Sequence, residues 1–288
     1  MTNWLQRLET LWSRRHLRGA EGPLPEDAGR KPVCVITGGS EGIGRHLANE
    51  FAARGHALLL VARTVARLEA AAAELRRDHG AEVHVAAVDL TLPDAAAAIG
   101  KALDRHRLYA DILVNNAAFG LGGAFAGQKA ETILALCRLN IEALTMLTRA
   151  FLPAMLLRGR GGILNIASLG GYTPGPYQAV YYASKAYVVS FTEALAYENA
   201  GRGVRISAAA PGPVATRFHE RMGVGKALYL KLAMMPPEMA ARIIHSGFIG
   251  RRTIIVPGLM PSFNAFWTQV IPHRFLTPLV GTILKRRY

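Results

Sequence analysis

From Pro32 onward the chain alternates short, largely apolar runs with longer stretches in which apolar residues recur every three or four positions. The runs are VCVIT (33–37), ALLLVA (57–62), EVHVAAV (82–88), DILVN (111–115), GILNIA (162–167), RISAAA (205–210) and TIIVP (253–257). Between them lie segments such as ARLEAAAAELRRDHG (66–80), rich in Ala, Leu, Glu and Arg. Strands that alternate apolar and polar residues have one wet face. These runs are continuously apolar, the pattern of strands covered by helices on both faces of a parallel sheet. Strand–helix alternation of this kind predicts one α/β domain built on a doubly wound parallel sheet of about seven strands.

The two ends depart from the pattern. NWLQRLETLWSRRHL places Trp4, Leu5, Leu8, Leu11 and Trp12 on one helical face, with Arg7, Arg14 and Arg15 nearby. That face suits packing on the core, on another subunit or on a membrane surface. AEGPLPEDAGRKP then reads as a linker. The tail after Gly258 is apolar with basic punctuation, and Pro261, Pro272, Pro278 and Arg274 interrupt it, so a spanning helix is not expected. It suits either anionic lipid, with Lys285, Arg286 and Arg287 at the headgroups, or a subunit interface. The expected organisation is a helix and linker over 1–30, a cofactor-binding catalytic domain over 31–258, and an apolar, basic helical extension over 259–288.

Composition narrows the chemistry. Of 288 residues, 51% are hydrophobic and 19% charged, and mean hydropathy is +0.18, enough apolar material for a large core. Cys34 and Cys137 are far apart and form no CxxC pair, which fits a reducing, cytoplasmic compartment. The nine histidines form no HExxH or close cluster, so no metal is expected. No charged-then-apolar signal segment opens the chain. The formal net charge of +14 is concentrated late: Arg217 to Tyr288 holds 11 Lys/Arg and 2 Asp/Glu. Without a nucleic-acid motif, this charge points away from nucleic acid and toward anionic lipid or an acidic substrate.

Ligands of such sheets bind beyond the carboxyl ends of the strands, so the loops there carry the function. The first follows VCVIT: Gly38, Gly42 and Gly44 are spaced G-x-x-x-G-x-G between a strand and a helix. Glycines let the backbone turn tightly and approach a pyrophosphate, which then sits on amides at the helix N-terminus. Thr37 and Ser40 add hydroxyls there. Nineteen residues after Gly44, where an acidic residue would hold the ribose hydroxyls of NAD, stands Arg63. A guanidinium pairs with a 2′-phosphate, so the expected cofactor is NADP(H). Glu41 adds an opposing charge inside the loop. Asp89 is placed to accept from an adenine amino group, with the Leu90 amide beside it. Asn115 and Asn116 are placed to cap the fourth strand.

YYASKAY (181–187) carries three tyrosines and one lysine. On a helix Tyr181 shares a face with Lys185, Tyr182 stays a geometric rival, and Tyr187 points elsewhere. A tyrosine beside an ammonium can pass a proton to or from an alcohol oxygen while hydride moves at carbon. Ser168, ending the fifth run, can polarise the same oxygen.

With these residues the chain, over Lys31 to Gly258, resembles the short-chain dehydrogenase/reductase family. The resemblance rests on T-G-x-x-x-G-x-G from Thr37 to Gly44, N-N-A from Asn115 to Ala117 and the asparagine of CRLNIEAL. The serine of NIAS, Y-x-x-x-K from Tyr181 to Lys185 and PGPVAT from Pro211 to Thr216 complete it. It implies a Rossmann-type fold in which Tyr181 is the acid/base and Ser168 positions the substrate oxygen. Lys185 would lower the tyrosine pKa and hold the nicotinamide ribose, and Asn140 would support a water relay behind the lysine. The thirteen-residue gap from Ser168 matches the family and selects Tyr181 over Tyr182. Ile43, Asn116, Ala117, Pro211, Gly212, Val214 and Thr216 join the implied cofactor set. The chain departs from the family's common N-N-A-G at Ala118.

The segment after the sixth run is apolar and adaptable through Met222, Leu228, Leu230, Leu232, Met234 and Met235. It suits a lipid-like, acyl or steroid-like carbonyl, or closure of the core or a subunit contact. The expected function is an NADP(H)-dependent oxidoreductase interconverting a carbonyl and a secondary alcohol in a homo-oligomer, a dimer or tetramer. The alternative is an NADP-binding regulatory or scaffold protein without turnover.

Overall fold

The computed structural model describes residues 27–218, Met222 and residues 234–285. The expected N-terminal helix, most of its linker, Leu228, Leu230, Leu232, Arg286 and Arg287 lie outside the described residues. Seven strands form one sheet: β1 Lys31–Thr37, β2 Leu58–Ala62, β3 Val83–Ala87, β4 Leu108–Asn115, β5 Gly161–Ile166, β6 Val204–Ala209 and β7 Ile254–Ile255. Their order is β3-β2-β1-β4-β5-β6-β7, and every pairing is parallel. The apolar runs thus become the strands, with small changes at their ends.

Residues along β1 divide between the two faces at the period of a strand. Cys34 and Ile36 join the cluster built with Leu47 and Phe51 of α1 (Gly42–Ala52), Leu68 and Leu75 of α2 (Val65–His79), and Phe248. Val33 and Val35 face the other way, onto Ile99 of α3 (Ala95–Arg105) and Leu147 and Met155 of the helix before β5. Burial on both sides is why no polar residue interrupts the run.

The chain leaves β1 toward β2 and β3, then returns to place β4 on the other flank of β1. The loops after β1 and β4 therefore diverge, and the crevice between them is the ligand position of this topology. Among the described residues the remaining α-helices are α4 (Ala130–Cys137), α5 (Leu144–Arg158), α6 (Ala179–Glu198), α7 (Pro237–Ile249), α8 (Leu259–Val270) and α9 (His273–Lys285). A wider π turn, Arg138–Ala143, joins α4 to α5. The tail beyond Gly258 forms α8 and α9.

His245 of α7 is buried, with its ring 4.8 Å from that of Phe51 at 74°. Its Nε2 has no hydrogen-bond partner among the described residues. Burial, then the charge of Arg54, pushes its pKa down to about 4, while Glu50 pulls weakly the other way. The unfolded chain therefore binds the proton first. Stability from this ring is complete above about pH 6.5 and drains as pH falls toward 4. We expect urea midpoints at pH 5 to report a loss on the order of 2 kcal/mol relative to pH 7.5. His245→Gln should flatten that slope, and an unchanged slope in the variant would assign the acid sensitivity elsewhere.

Candidate active site

The crevice is built from the glycine loop upward. Gly38 and Gly42 have φ of +64° and +57°, conformations that L side chains rarely adopt. At position 44 the space itself is closed, because a Cβ there would run into Asn116 Nδ2 and the carbonyl oxygen of Gly38. Asn116 locks the loop from β4: its Nδ2 donates to the Thr37 and Gly38 carbonyls at 2.9 and 3.2 Å. Thr37 Oγ1 donates to Val114 O at 3.2 Å and accepts from the amides of Asn116 and Ala117 at 2.9 and 3.1 Å. Thr37 thus ties the two diverging loops together; its hydroxyl is spent on protein and does not reach outward. Ser40 is half-buried in the turn, and Ile43 packs on the core. Glu41 sits 3.7 Å from Arg67, which offsets its charge.

Arg63 is exposed just beyond β2. Its charge acts on Asp89, whose carboxyl is held below its ordinary value first by the Thr91 amide, then by the Thr91 hydroxyl and Arg63. Asp89 Oδ1 accepts from Thr91 N and Oγ1 at 2.9 and 2.7 Å. Leu90 puts its side chain in the core. Asn115 does not cap the strand. It is buried in a polar ladder, with Nδ2 donating to Thr148 Oγ1 and Asn165 Oδ1, and Asn165 donating on to Thr192.

The three tyrosines separate cleanly. Tyr181 is buried and hydrogen-bonded to Ser168. Tyr182 lies over Gly170 and Gly175, where an added Cβ would meet its ring. Tyr187 bonds Thr145 Oγ1 at 2.8 Å. Lys185 is buried, its Nζ 5.9 Å from the Tyr181 ring centroid and 2.8 Å from Ile166 O, to which it donates.

Burial sets the proton affinities of this pair. The tyrosine pKa is not lowered: burial raises it well above its ordinary value, and the Ser168 hydrogen bond only partly opposes this. Lys185, engaged by the Ile166 carbonyl, is itself pushed down to about 8 by burial. The Asn140 side chain, in the π turn, is held by protein partners. Its Nδ2 donates to Phe119 O and Ser184 Oγ at 3.0 and 3.1 Å, and Oδ1 accepts from Phe119 N at 3.2 Å. It clamps the β4 loop to α6.

PGPVAT closes the crevice opposite the glycine loop. The position of a Cβ on Gly42 lies 3.5 Å from Thr216 Cγ2. Pro211 O accepts the Leu169 amide at 2.9 Å, Gly212 packs toward Pro261, and Val214 bridges to Met235. Over Tyr181 lies an apolar cluster: Leu136 and Met222 are buried with it, and Phe119, Leu121, Tyr182 and Phe218 pack around them. The Phe218 ring is 5.6 Å from that of Tyr181. Sequence reasoning had singled out only Met222 and Tyr182 of these; the apolar residues after N-N-A were the available signal. It also passed over Gln178, buried at the entry to α6 with no partner for Nε2 among the described residues.

The family described as short chain dehydrogenase matches residues 32–226, more than half of the chain. The chain belongs to the short-chain dehydrogenase family. It is 34% identical to a 3-oxoacyl-[acyl-carrier-protein] reductase of Synechocystis, over 73% of this chain and 87% of that one. It is 33% identical to a very-long-chain 3-oxoacyl-CoA reductase of Rattus norvegicus, over 64% of this chain and 60% of that one. It likewise spans 59% of a short chain dehydrogenase of Pseudocercospora fijiensis, so these longer relatives extend beyond the match. Among solved structures it is similar to a short-chain dehydrogenase of Sphingobium yanoikuyae in complex with NADPH. There the TM-score is 0.73 and identity 35%, over 82% of this chain and 91% of that one.

Members of this family are oxidoreductases that take a nicotinamide cofactor. The cradle fits one: the backbone turns at Gly38 and Gly42, Gly44 has no room for a side chain, and Thr216 faces the loop across the crevice.

Proposed function

We propose that this short-chain dehydrogenase interconverts a carbonyl and a secondary alcohol with NADP(H), acting on an apolar substrate. The observation that carries the proposal is the meeting of Ser168, Tyr181 and Lys185 at the strand ends beside the glycine cradle. The bound nicotinamide supplies or accepts the hydride. Ser168 Oγ holds the substrate oxygen while Tyr181 Oη, kept protonated by burial, donates to it as the carbonyl is reduced. The Lys185 ammonium stands behind the ring and favours the phenolate left by that transfer. The apolar cluster around Tyr181 supports a substrate with little polarity beside its carbonyl, as do the 3-oxoacyl reductases among the relatives. The same reading includes a homo-oligomer using exposed Leu134, Met146 and Leu157, and a reducing cytoplasmic setting for the two free thiols.

Cofactor choice is tested by titrating NADPH and NADH into wild type and Arg63→Ala. Loss of a guanidinium–phosphate pair should weaken NADPH about 10- to 100-fold and leave NADH nearly unchanged. Equal binding of the two nucleotides by wild type would remove the phosphate-pairing role from Arg63. Binding of neither would remove the dehydrogenase reaction.

A further inference from the structure

The tail beyond Gly258 has two unlike sides. Its inner side belongs to the catalytic face: Pro261 packs toward Gly212, and Gly281 brings α9 onto Pro176, where an added Cβ would lie 3.3 Å from the proline Cγ. Ala265, Leu276 and Leu284 are the buried residues of these helices. Between α9 and the loops after β4 and β5 runs a groove of about 530 Å³, lined by Ala124, Phe125, Pro176, Tyr177, Thr277 and Lys285 among others.

The outer side is apolar and exposed. Leu259, Phe263, Phe266 and Val270 share one face of α8, with exposures of 91%, 57%, 60% and 56%. On α9, Phe275 and Leu279 stand four residues apart and are exposed at 60% and 59%. Single exposed apolar residues are ordinary, whereas a contiguous face of this kind marks a surface that meets something. Charge decides what. From Leu259 to Tyr288 there is no Asp or Glu, while Arg274, Lys285, Arg286 and Arg287 are basic. The Arg274 guanidinium lies 4.8 Å from the Phe275 ring centroid, a cation at the edge of the apolar face. A second copy of the chain docked face to face would set cations against cations with no carboxylate between them. An anionic lipid surface offers both acyl chains and negative headgroups. Among the described residues no helix is long and apolar enough to cross a membrane, so the geometry is that of lying on one.

We propose that the outer face of α8 and α9 docks on an anionic lipid surface. Docking does not depend on turnover, so its test is separate from that of the reaction. The full chain is sedimented with vesicles of phosphatidylcholine containing about one-third phosphatidylglycerol, and with pure phosphatidylcholine. Wild type and Tyr181→Phe should both bind the anionic vesicles, several-fold more tightly than the neutral ones and more weakly in high salt. Phe263→Glu/Phe266→Glu should lose about a hundredfold in vesicle affinity, and Leu279→Glu on the other helix at least several-fold. All three substitutions fall on exposed positions, so NADPH binding should persist and shows that the fold is intact. Wild type that stays in solution with both vesicle types overturns the proposal. So does a Phe263→Glu/Phe266→Glu variant that keeps its vesicle affinity but converts a dimer to a monomer in sedimentation velocity, which would give the face to a second copy.

Discussion

Tyr181→Phe should bind NADPH within about twofold of wild type and lose on the order of 10³-fold in carbonyl turnover. The substitution removes one oxygen from a ring that Phe218, Met222 and Leu136 already hold in place, so the site keeps its shape. Only the proton donor disappears. Neither neighbouring tyrosine replaces it, because Tyr182 lies over Gly170 and Gly175 and Tyr187 is bonded to Thr145. Oxidation of NADPH by a panel of apolar ketones is the measurement, with Tyr182→Phe as the matched control, expected within a few-fold of wild type. If the Tyr182 variant lost activity and the Tyr181 variant kept it, the proton route proposed here would be wrong. If wild type bound NADPH and turned over no carbonyl, the regulatory alternative would gain the stronger claim.

The second large effect concerns stability. Asp27 and Arg158 are both nearly enclosed and meet at 3.0 Å; Arg158 also donates to Ala110 O at 2.9 Å and lies over the Tyr109 ring. The pair pins the segment entering β1 to the end of α5. Removing one member leaves a charge without its partner inside the protein, so Asp27→Ala should cost about 3–5 kcal/mol. Asp27→Ala/Arg158→Met removes both charges and should recover most of that loss, because desolvating the pair cancels much of its attraction. Chemical denaturation of the two single variants and the double variant measures the coupling. Simple additivity would mean that the two side chains act independently.

The sheet was legible because strands buried on both faces leave uninterrupted apolar runs, and the glycine spacing marked the first loop. The legibility ends where a residue's fate depends on distant chain. β4 begins at Leu108, before the expected run, in a stretch where Tyr109 lies under Arg158 from α5. Asn115 and Asn116 are neighbours of one type, yet one enters a buried ladder with Thr148 and Asn165 and the other braces the glycine loop. Spacing placed Lys185 beside Tyr181, but the balance of their proton affinities is set by burial. That burial comes from the β4 loop, α4 and the segment after β6, none of them local to YYASK. The tail's helices could be anticipated, whereas their seat against Gly212 and Pro176 could not, since it depends on contacts far apart in the chain.

The position of β1 between β2 and β4 also has a consequence for biogenesis. As the chain is synthesised, β1, β2 and β3 emerge first and can pair among themselves. Until β4 is delivered, β1 presents an open backbone edge flanked by Val33 and Val35, with no strand beside it. The nascent protein should therefore pass through an interval of high affinity for chaperones. That interval should close as β4 docks, the same event that brings Asn116 to the glycine loop and first makes a nucleotide pocket possible.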